Sequence, residues 1–419
     1  MKILFAMASF KSVSSVATKI ARKGHTVVWF RNDQRVLDNP ILHEAVRRNE
    51  PVICVYCFDP RHYATTKYGS PKTGAYRCKF LVESIQDLRL SLKELGSELL
   101  VAMGEPEVII PELTSLNSGG SGICEVLVQK EYAWEEACVA DRVEAAIRSR
   151  GEGGILRAMD GATLFHKDDL PYKHDLSDLP DVFSPFKNKV EKVCKPRPLV
   201  PNPKKGQLKT VAFESLGEGI RTMVKCGYDF MPSEKDLGLD EGAFEAAGLG
   251  TQRGGVLDFH GGERAGKARV EDWIFTKDKL KEYFDIRNGM LGEGYSSKFS
   301  PWLATGNLSP RWIQKECARY EKETGIANKS TYWLIFELEV RDFFHFLVTK
   351  YGRKSFFRGG MRGVERPWGT DEERIRRWKE GTTGMPLVDA NMRELKATGW
   401  MSNRGRQNVA SYLVLDMGI

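Results

Sequence analysis

Glu337, Arg341 and His345 recur at i, i+4 and i+8 in the apolar run YWLIFELEVRDFFHFLV (332–348), so a helix places all three on one face. On an exposed face they make an ordinary surface ion pair. Lining a cleft amid this much Phe, they make a functional site. A second candidate is YSSKFSPWLATGNLSPR (295–311). Ser300-Pro301 and Ser309-Pro310 each read as a helix start, because Ser caps well and Pro fits the first helical position. Exposed N–H groups at two adjacent starts, beside Ser296, Ser297 and Ser300, suit a phosphate or another anion. The alternative is that both serines only cap. A third stretch, KYGRKSFFRGGMRGVERPWG (350–369), interleaves Lys and Arg with aromatic side chains. That pattern fits single-stranded nucleic acid, or else a solvated loop. Finally, GWMSNRGRQNVASYLVLDMG (399–418) sets Asn403, Arg404 and Arg406 before an apolar helix.

These residues need elements to hold them. Short β-rich runs at 25–30, 51–58, 98–104, 125–130 and 155–160 alternate with helical patterns near 36–49, 71–95, 105–115 and 135–149. Such alternation predicts βαβ units and a doubly wound parallel sheet covered on both faces. No GxGxxG follows the first strand, so an ordinary dinucleotide fingerprint is absent. Residues 167–255 read as a long Pro- and Gly-rich connection crossing the surface with a little local helix. Helix signals dominate from 256 to 419. The expected organisation is therefore an α/β unit (25–166), a connector (167–255) and an all-α unit (256–419).

The 419 residues suffice for two or three domains. A net charge of +7 permits nucleic-acid binding without requiring it. Of eight Cys, only Cys54 and Cys57 lie close, inside a strand-like run, and no second pair completes a zinc site. Free thiols are expected, and no metal site. No apolar run reaches the roughly 20 residues of a membrane span. Residues 1–24 are basic, Ser-rich and free of Asp and Glu. They read either as an organelle transit peptide, for chloroplast or mitochondrion, or as a first strand and helix, with cytoplasm or nucleus as the alternative location.

Longer motifs carry a resemblance. RNGMLGEGYSSKFSPWLATGNLSPR, ERPWG and RRWKEGTTGMPLVDANMRELKATGWMSNRGRQNVASYLV are similar to the photolyase/cryptochrome family, most of all its cryptochrome DASH branch. SPKTGAYRCKFLVESIQDLRLSLKELGSELLVAMGEPE and HKDDLPYKHDLSDLPDVFSPF resemble the same branch, so the match runs over about residues 25 to 419. The resemblance implies a folded-up FAD in the helical unit and a 5,10-methenyltetrahydrofolate antenna in the α/β unit. Ser296, Ser297, Lys298, Phe299 and Ser300 match the stretch that wraps the FAD diphosphate. Tyr283, Arg341, Asn403 and Arg406 match residues around the flavin. Glu337 matches the acid that reaches a bound pyrimidine dimer, and Arg287, Asn403 and Gln407 match contacts to DNA. Trp368 matches the outermost of three electron-relay tryptophans, and Glu136 the acid that holds the folate.

The family reaction is light-driven splitting of cyclobutane pyrimidine dimers by an electron lent from reduced flavin. The DASH branch prefers single strands, where flipping a dimer out costs less. The leading expectation is thus a single-strand-specific deoxyribodipyrimidine photo-lyase acting on DNA, with RNA as a further partner. The alternatives are a blue-light photoreceptor or nucleic-acid-binding protein without repair, and an inactive truncated homologue. Two departures feed these alternatives. Val340 stands where the family usually has a Trp that stacks on the dimer, and Glu339, in place of Leu, is expected to add negative charge near a DNA site. Family members also continue past the position of Ile419, and that part carries the other two relay tryptophans, the Asn facing the flavin and the acids that meet Arg406. Residues 1–419 alone are therefore expected to hold FAD weakly.

Overall fold

The computed structural model describes residues 24–419 except 68, 116–123, 152, 224 and 250. The expectation for the leader, residues 1–24, lies outside the described residues but for Gly24. A sheet and its helices come first: β1 (Thr26–Phe30), α1 (Pro40–Arg48), β2 (Val52–Phe58), α2 (Ala75–Glu94), β3 (Leu99–Met103), α3 (Pro106–Leu113), β4 (Glu125–Gln129), α4 (Trp134–Ser149) and β5 (Ile155–Met159). These five strands are parallel, in the order β5-β4-β1-β2-β3. Strands β1 and β2 are buried along their whole length, which is why they read as unbroken apolar runs. One face, with Val27, Ile53 and Leu100, packs with Ile109 of α3 and Val143 of α4. The other, with Val28, Cys54 and Val101, packs with Leu42 of α1 and Ile85 of α2. Cys54 and Cys57 fall on opposite faces and cannot share a metal.

The stretch 167–255 departs from its reading as a surface connection. It forms α5 (Phe183–Val193), α6 (Glu218–Met223), β6 (Lys225–Gly227) and α7 (Ala243–Gly248). Strand β6 adds to the sheet antiparallel to β3. Val211, Leu216 and Ile220 join the core under the sheet, and Phe186 and Val190 join the helical core. Burial of scattered apolar residues, which no period announces, binds the segment to both units.

The helical part contains α8 (Glu263–Glu271), α9 (Tyr283–Ile286), α10 (Ser300–Thr305), α11 (Pro310–Thr324), α12 (Lys329–Tyr351), α13 (Glu372–Glu380), α14 (Pro386–Thr398) and α15 (Asn403–Ser411). Asn328 and Thr331 form a reciprocal capping box that starts α12, and Gly352 ends it. At 1.5 Å per residue this helix is about 35 Å long, the width of a small domain. Leu334, Leu338, Phe343 and Phe346 anchor it in a core with Trp273, Trp302 and Tyr320.

A buried polar junction joins the two units. The Asp38 carboxylate accepts from Ser309 Oγ at 2.5 Å and from Arg311 Nε and Nη2 at 2.9 and 2.8 Å. Arg35 donates to the carbonyls of Gly306 and Gly161 at 2.9 and 3.0 Å. Gly306 has φ +71°, and a Cβ there would lie 1.9 Å from the Asn32 carbonyl oxygen, so no other residue fits.

Candidate functional site

One cavity gathers most of the expected site. Its volume is about 240 Å³, it is open to solvent on one side, and its walls include Tyr283, Arg287, Ser296 to Ser300, Glu337, Asn403 and Arg406. This lies just below the roughly 300–1,000 Å³ of small-molecule sites, room for part of a dinucleotide.

The loop before α10 makes the floor. Arg269 of α8 donates to the carbonyls of Ser297 and Glu293 at 3.1 and 3.0 Å, and Trp273 Nε1 to that of Gly294 at 3.1 Å. These bonds draw the loop's carbonyls backwards. Among the described residues, the N–H groups of Ser296, Ser297 and Lys298 find no acceptor. Lys298 has φ +57°, an uncommon and strained conformation for a residue with a side chain. Its ammonium donates to the Glu293 carbonyl at 3.0 Å and lies 3.5 Å from the centre of the Tyr295 ring. Burial, with Arg269 nearby, lowers its pKa to about 7. The hydroxyl of Tyr295 and Nε1 of Trp400 are buried beside each other in the same wall, with no further polar partner among the described residues. Orphaned amides and a buried lysine with no carboxylate partner among the described residues fit a polar, anionic group such as the FAD diphosphate.

The two Ser-Pro starts behave differently. The N-cap of α10 is Phe299, and Ser300 makes no cap bond. Ser309 does cap α11, accepting from the Trp312 N–H at 3.3 Å. Its helix start is not open to an outside anion, because the Asp38 carboxylate already occupies that place. Only the Ser296–Ser300 half faces the cavity.

Glu337 enters from α12. It is half-buried and accepts from Trp333 Nε1 at 3.1 Å, and desolvation raises its pKa. The ion pair offered for this face does not form with Arg341. That guanidinium turns to the carbonyls of Ala162 and Leu303, at 2.6 and 3.3 Å, and does not line the cavity. One turn further on, His345 packs on the Tyr132 ring, 5.0 Å between centres. The shared face thus runs from the cavity to the α/β unit. Glu339 does not add charge at the cavity either. It is buried on the other side of α12, where desolvation and Glu191 of α5 hold its pKa up.

Asn403 opens α15, whose Ser402 cap accepts from the Gly405 N–H at 2.9 Å. Arg406 donates to the Met401 carbonyl at 3.1 Å and has no carboxylate partner among the described residues. Gln407 lies one turn after Asn403 and accepts from Arg404 at 2.7 Å, outside the cavity wall. Trp368 is half-buried and also outside it, with its Nε1 3.3 Å from the Arg358 carbonyl. Glu136 lines a separate cavity of about 150 Å³ with Trp29, Arg31, Tyr56 and His62, at the carboxyl ends of the strands. There the strand order reverses beside β1, the usual crevice of an open α/β sheet. Asn288, Tyr295 and Trp333 were not singled out from sequence. Tyr295 adjoins the serine cluster and Trp333 stands one turn before Glu337, so their spacing was the available signal.

Residues 26–204 match the family described as DNA photolyase, and residues 333–419 match the FAD binding domain of DNA photolyase. The chain is 45% identical over 405 residues to a chloroplastic/mitochondrial cryptochrome DASH of Ostreococcus tauri, covering 94% of this chain and 72% of that protein. It is 44% identical to the chloroplastic/mitochondrial cryptochrome DASH of Arabidopsis thaliana, covering 97% of this chain and 66% of that protein. The crystal structure of a Synechocystis cryptochrome superposes with a TM-score of 0.83 at 42% identity, over 94% of this chain and 76% of that one. The chain belongs to the photolyase/cryptochrome family, in its cryptochrome DASH branch.

Proposed function

We propose that this chain is a blue-light flavoprotein that repairs cyclobutane pyrimidine dimers in single-stranded DNA. The observation that carries this reading is the convergence of Arg287, Glu337 and Asn403 on the cavity that holds the Ser296–Ser300 loop. Residues 25–166 would form the antenna unit and 256–419 the flavin unit, joined by 167–255. When bound, reduced FAD supplies a light-driven electron. The amides of 296–298 and Lys298 would hold its diphosphate, and Tyr283 and Arg406 would contribute to the same site. Arg287 holds a backbone phosphate at the mouth. Glu337, partly desolvated, holds a hydrogen bond to the edge of an inserted pyrimidine, and Asn403 offers its amide beside it. Extracting a dimer from a duplex costs stacking and pairing, so a single strand suits the site better. The Glu136 cavity would take the folate antenna, and the organelles named for the Ostreococcus and Arabidopsis relatives would be the location.

A second reading, nucleic-acid binding or light sensing without repair, is favoured by Val340, which offers no ring to stack on a lesion. RNA would then be a partner alongside DNA. The test loads the full chain with FAD, reduces it, and illuminates it with a single-stranded oligo-dT carrying one dimer. Loss of the dimer in blue light and not in darkness is expected. Full flavin loading with no dimer loss would overturn repair and leave the second reading.

A further inference from the structure

We infer that Trp333 is a positioning residue that fixes both the acid and the cation of the cavity mouth, Glu337 and Arg287, through one indole ring. The inference rests on the roles proposed above for those two residues. Nε1 of Trp333 donates to Glu337 Oε1 at 3.1 Å, and among the described residues this is the only hydrogen bond that carboxylate accepts. The Arg287 guanidinium lies 4.4 Å from the centre of the same indole and 4.2 Å from that of Phe284. The ring is fixed in turn by Phe336, stacked at 4.5 Å, and by Phe284, edge-on at 4.6 Å. Lys329 adds a second cation 3.5 Å from the Phe284 ring.

The manner of holding matters. A carboxylate partner would orient Arg287 and cancel its charge as well. Arg287 has no carboxylate within ion-pair distance among the described residues. Aromatic faces, together with the Phe284 carbonyl that accepts from Arg287, orient the guanidinium while leaving its charge available to a phosphate. On the other side, an indole N–H can only donate, so it orients Glu337 as an acceptor and favours its ionised form. The titratable groups that line the cavity with Glu337 are Tyr283 and Arg287 from the α9 segment, Tyr295 and Lys298 from the loop and Arg406 from α15, and of these Arg287 and Tyr283 act on its charge. Arg341, on its own helix, is turned away.

The variants Trp333→Phe and Trp333→Leu separate this role from packing. Phe keeps a ring under Arg287 and removes only the N–H. Leu removes both. The first readout is an infrared pH titration of the Glu337 carboxyl band, assigned by difference against Glu337→Gln. In Trp333→Phe the midpoint should rise by about one pH unit, the worth of one hydrogen bond to a charged group. An unchanged midpoint overturns the inference for Glu337. The second readout is the salt dependence of binding to oligo-dT carrying one dimer. Trp333→Leu should lower the slope by about 0.7, one phosphate contact on a single strand, while Trp333→Phe keeps it. A wild-type slope in Trp333→Leu overturns the inference for Arg287. If Glu337→Gln and Arg287→Ala both bind damaged and undamaged strands as the wild type does, the proposed function fails, and the infrared midpoint still decides the case of Trp333.

Discussion

One stretch, Tyr295–Arg311, supplies two polar regions with opposite fates. Its second half enters the junction, where Ser309 and Arg311 meet Asp38 and every charge has a partner. Its first half enters the cavity, where the amides of 296–298 are left unsatisfied and Lys298 has no carboxylate partner among the described residues. The residue types are alike in both. Buried polar groups are costly unless paired. A satisfied set therefore holds the fold, and an unsatisfied set beside open volume awaits a ligand.

The sharpest way to break this contrast is Asp38→Ala. It leaves Arg311 without its counter-charge, and a broken buried pair costs about 3–5 kcal/mol. Thermal unfolding measures it. A loss below about 1 kcal/mol, the level of a surface pair, would mean that the junction is not the satisfied region described.

Lys298→Met should act the other way, leaving the unliganded fold intact or slightly firmer and weakening FAD binding about tenfold or more. The sign with pH follows from the lowered pKa. Between about pH 7 and the ordinary lysine value near 10.4, the unfolded chain binds more protons at this group than the folded chain does. Stability of the unliganded protein therefore rises with pH across that window. A bound diphosphate favours the charged ammonium, so binding takes up a proton and weakens as pH climbs above about 7. Flavin titration from about pH 6 to pH 9 should show that trend in the wild type and lose it in the variant. A parallel trend in both would remove Lys298 from the cradle.

Val340→Trp tests the cavity mouth. Stacking on a base is worth about 1–3 kcal/mol, so the preference for a dimer-containing strand over an undamaged one should grow several-fold. An unchanged ratio would show that position 340 does not reach the lesion. The basic segment 350–369 gives a smaller effect. Phe356 and Phe357 are exposed there, and each of Arg362→Ala and Arg366→Ala should lower the salt slope for oligo-dT by about 0.7. Slopes equal to the wild type would make the segment a solvated loop. The smallest effect belongs to the leader. A chain starting at Gly24 should unfold at the same midpoint as the full chain if residues 1–23 are dispensable. A large drop would make KILFAM a core strand.

The five parallel strands, their helices and the two helix starts at Pro301 and Pro310 were legible because buried runs, helical periods and Ser-Pro pairs are local signals. Strand β6 was not. Three residues, Lys225–Gly227, carry no period, and only the exposed edge of β3 makes them a strand. The side on which Glu339 lies was equally hidden, since helical spacing fixes a face relative to neighbours in the helix and not to α5. Sequence by itself determined that Glu337, Arg341 and His345 share one face, and that serines cluster before two helix starts. Tertiary structure decided that Glu337 reaches the cavity while Arg341 turns to Ala162, and that Asp38, some 270 residues away along the chain, claims the second start and leaves the first open. Such choices depend on which distant group arrives to satisfy a buried charge, and that information is not local.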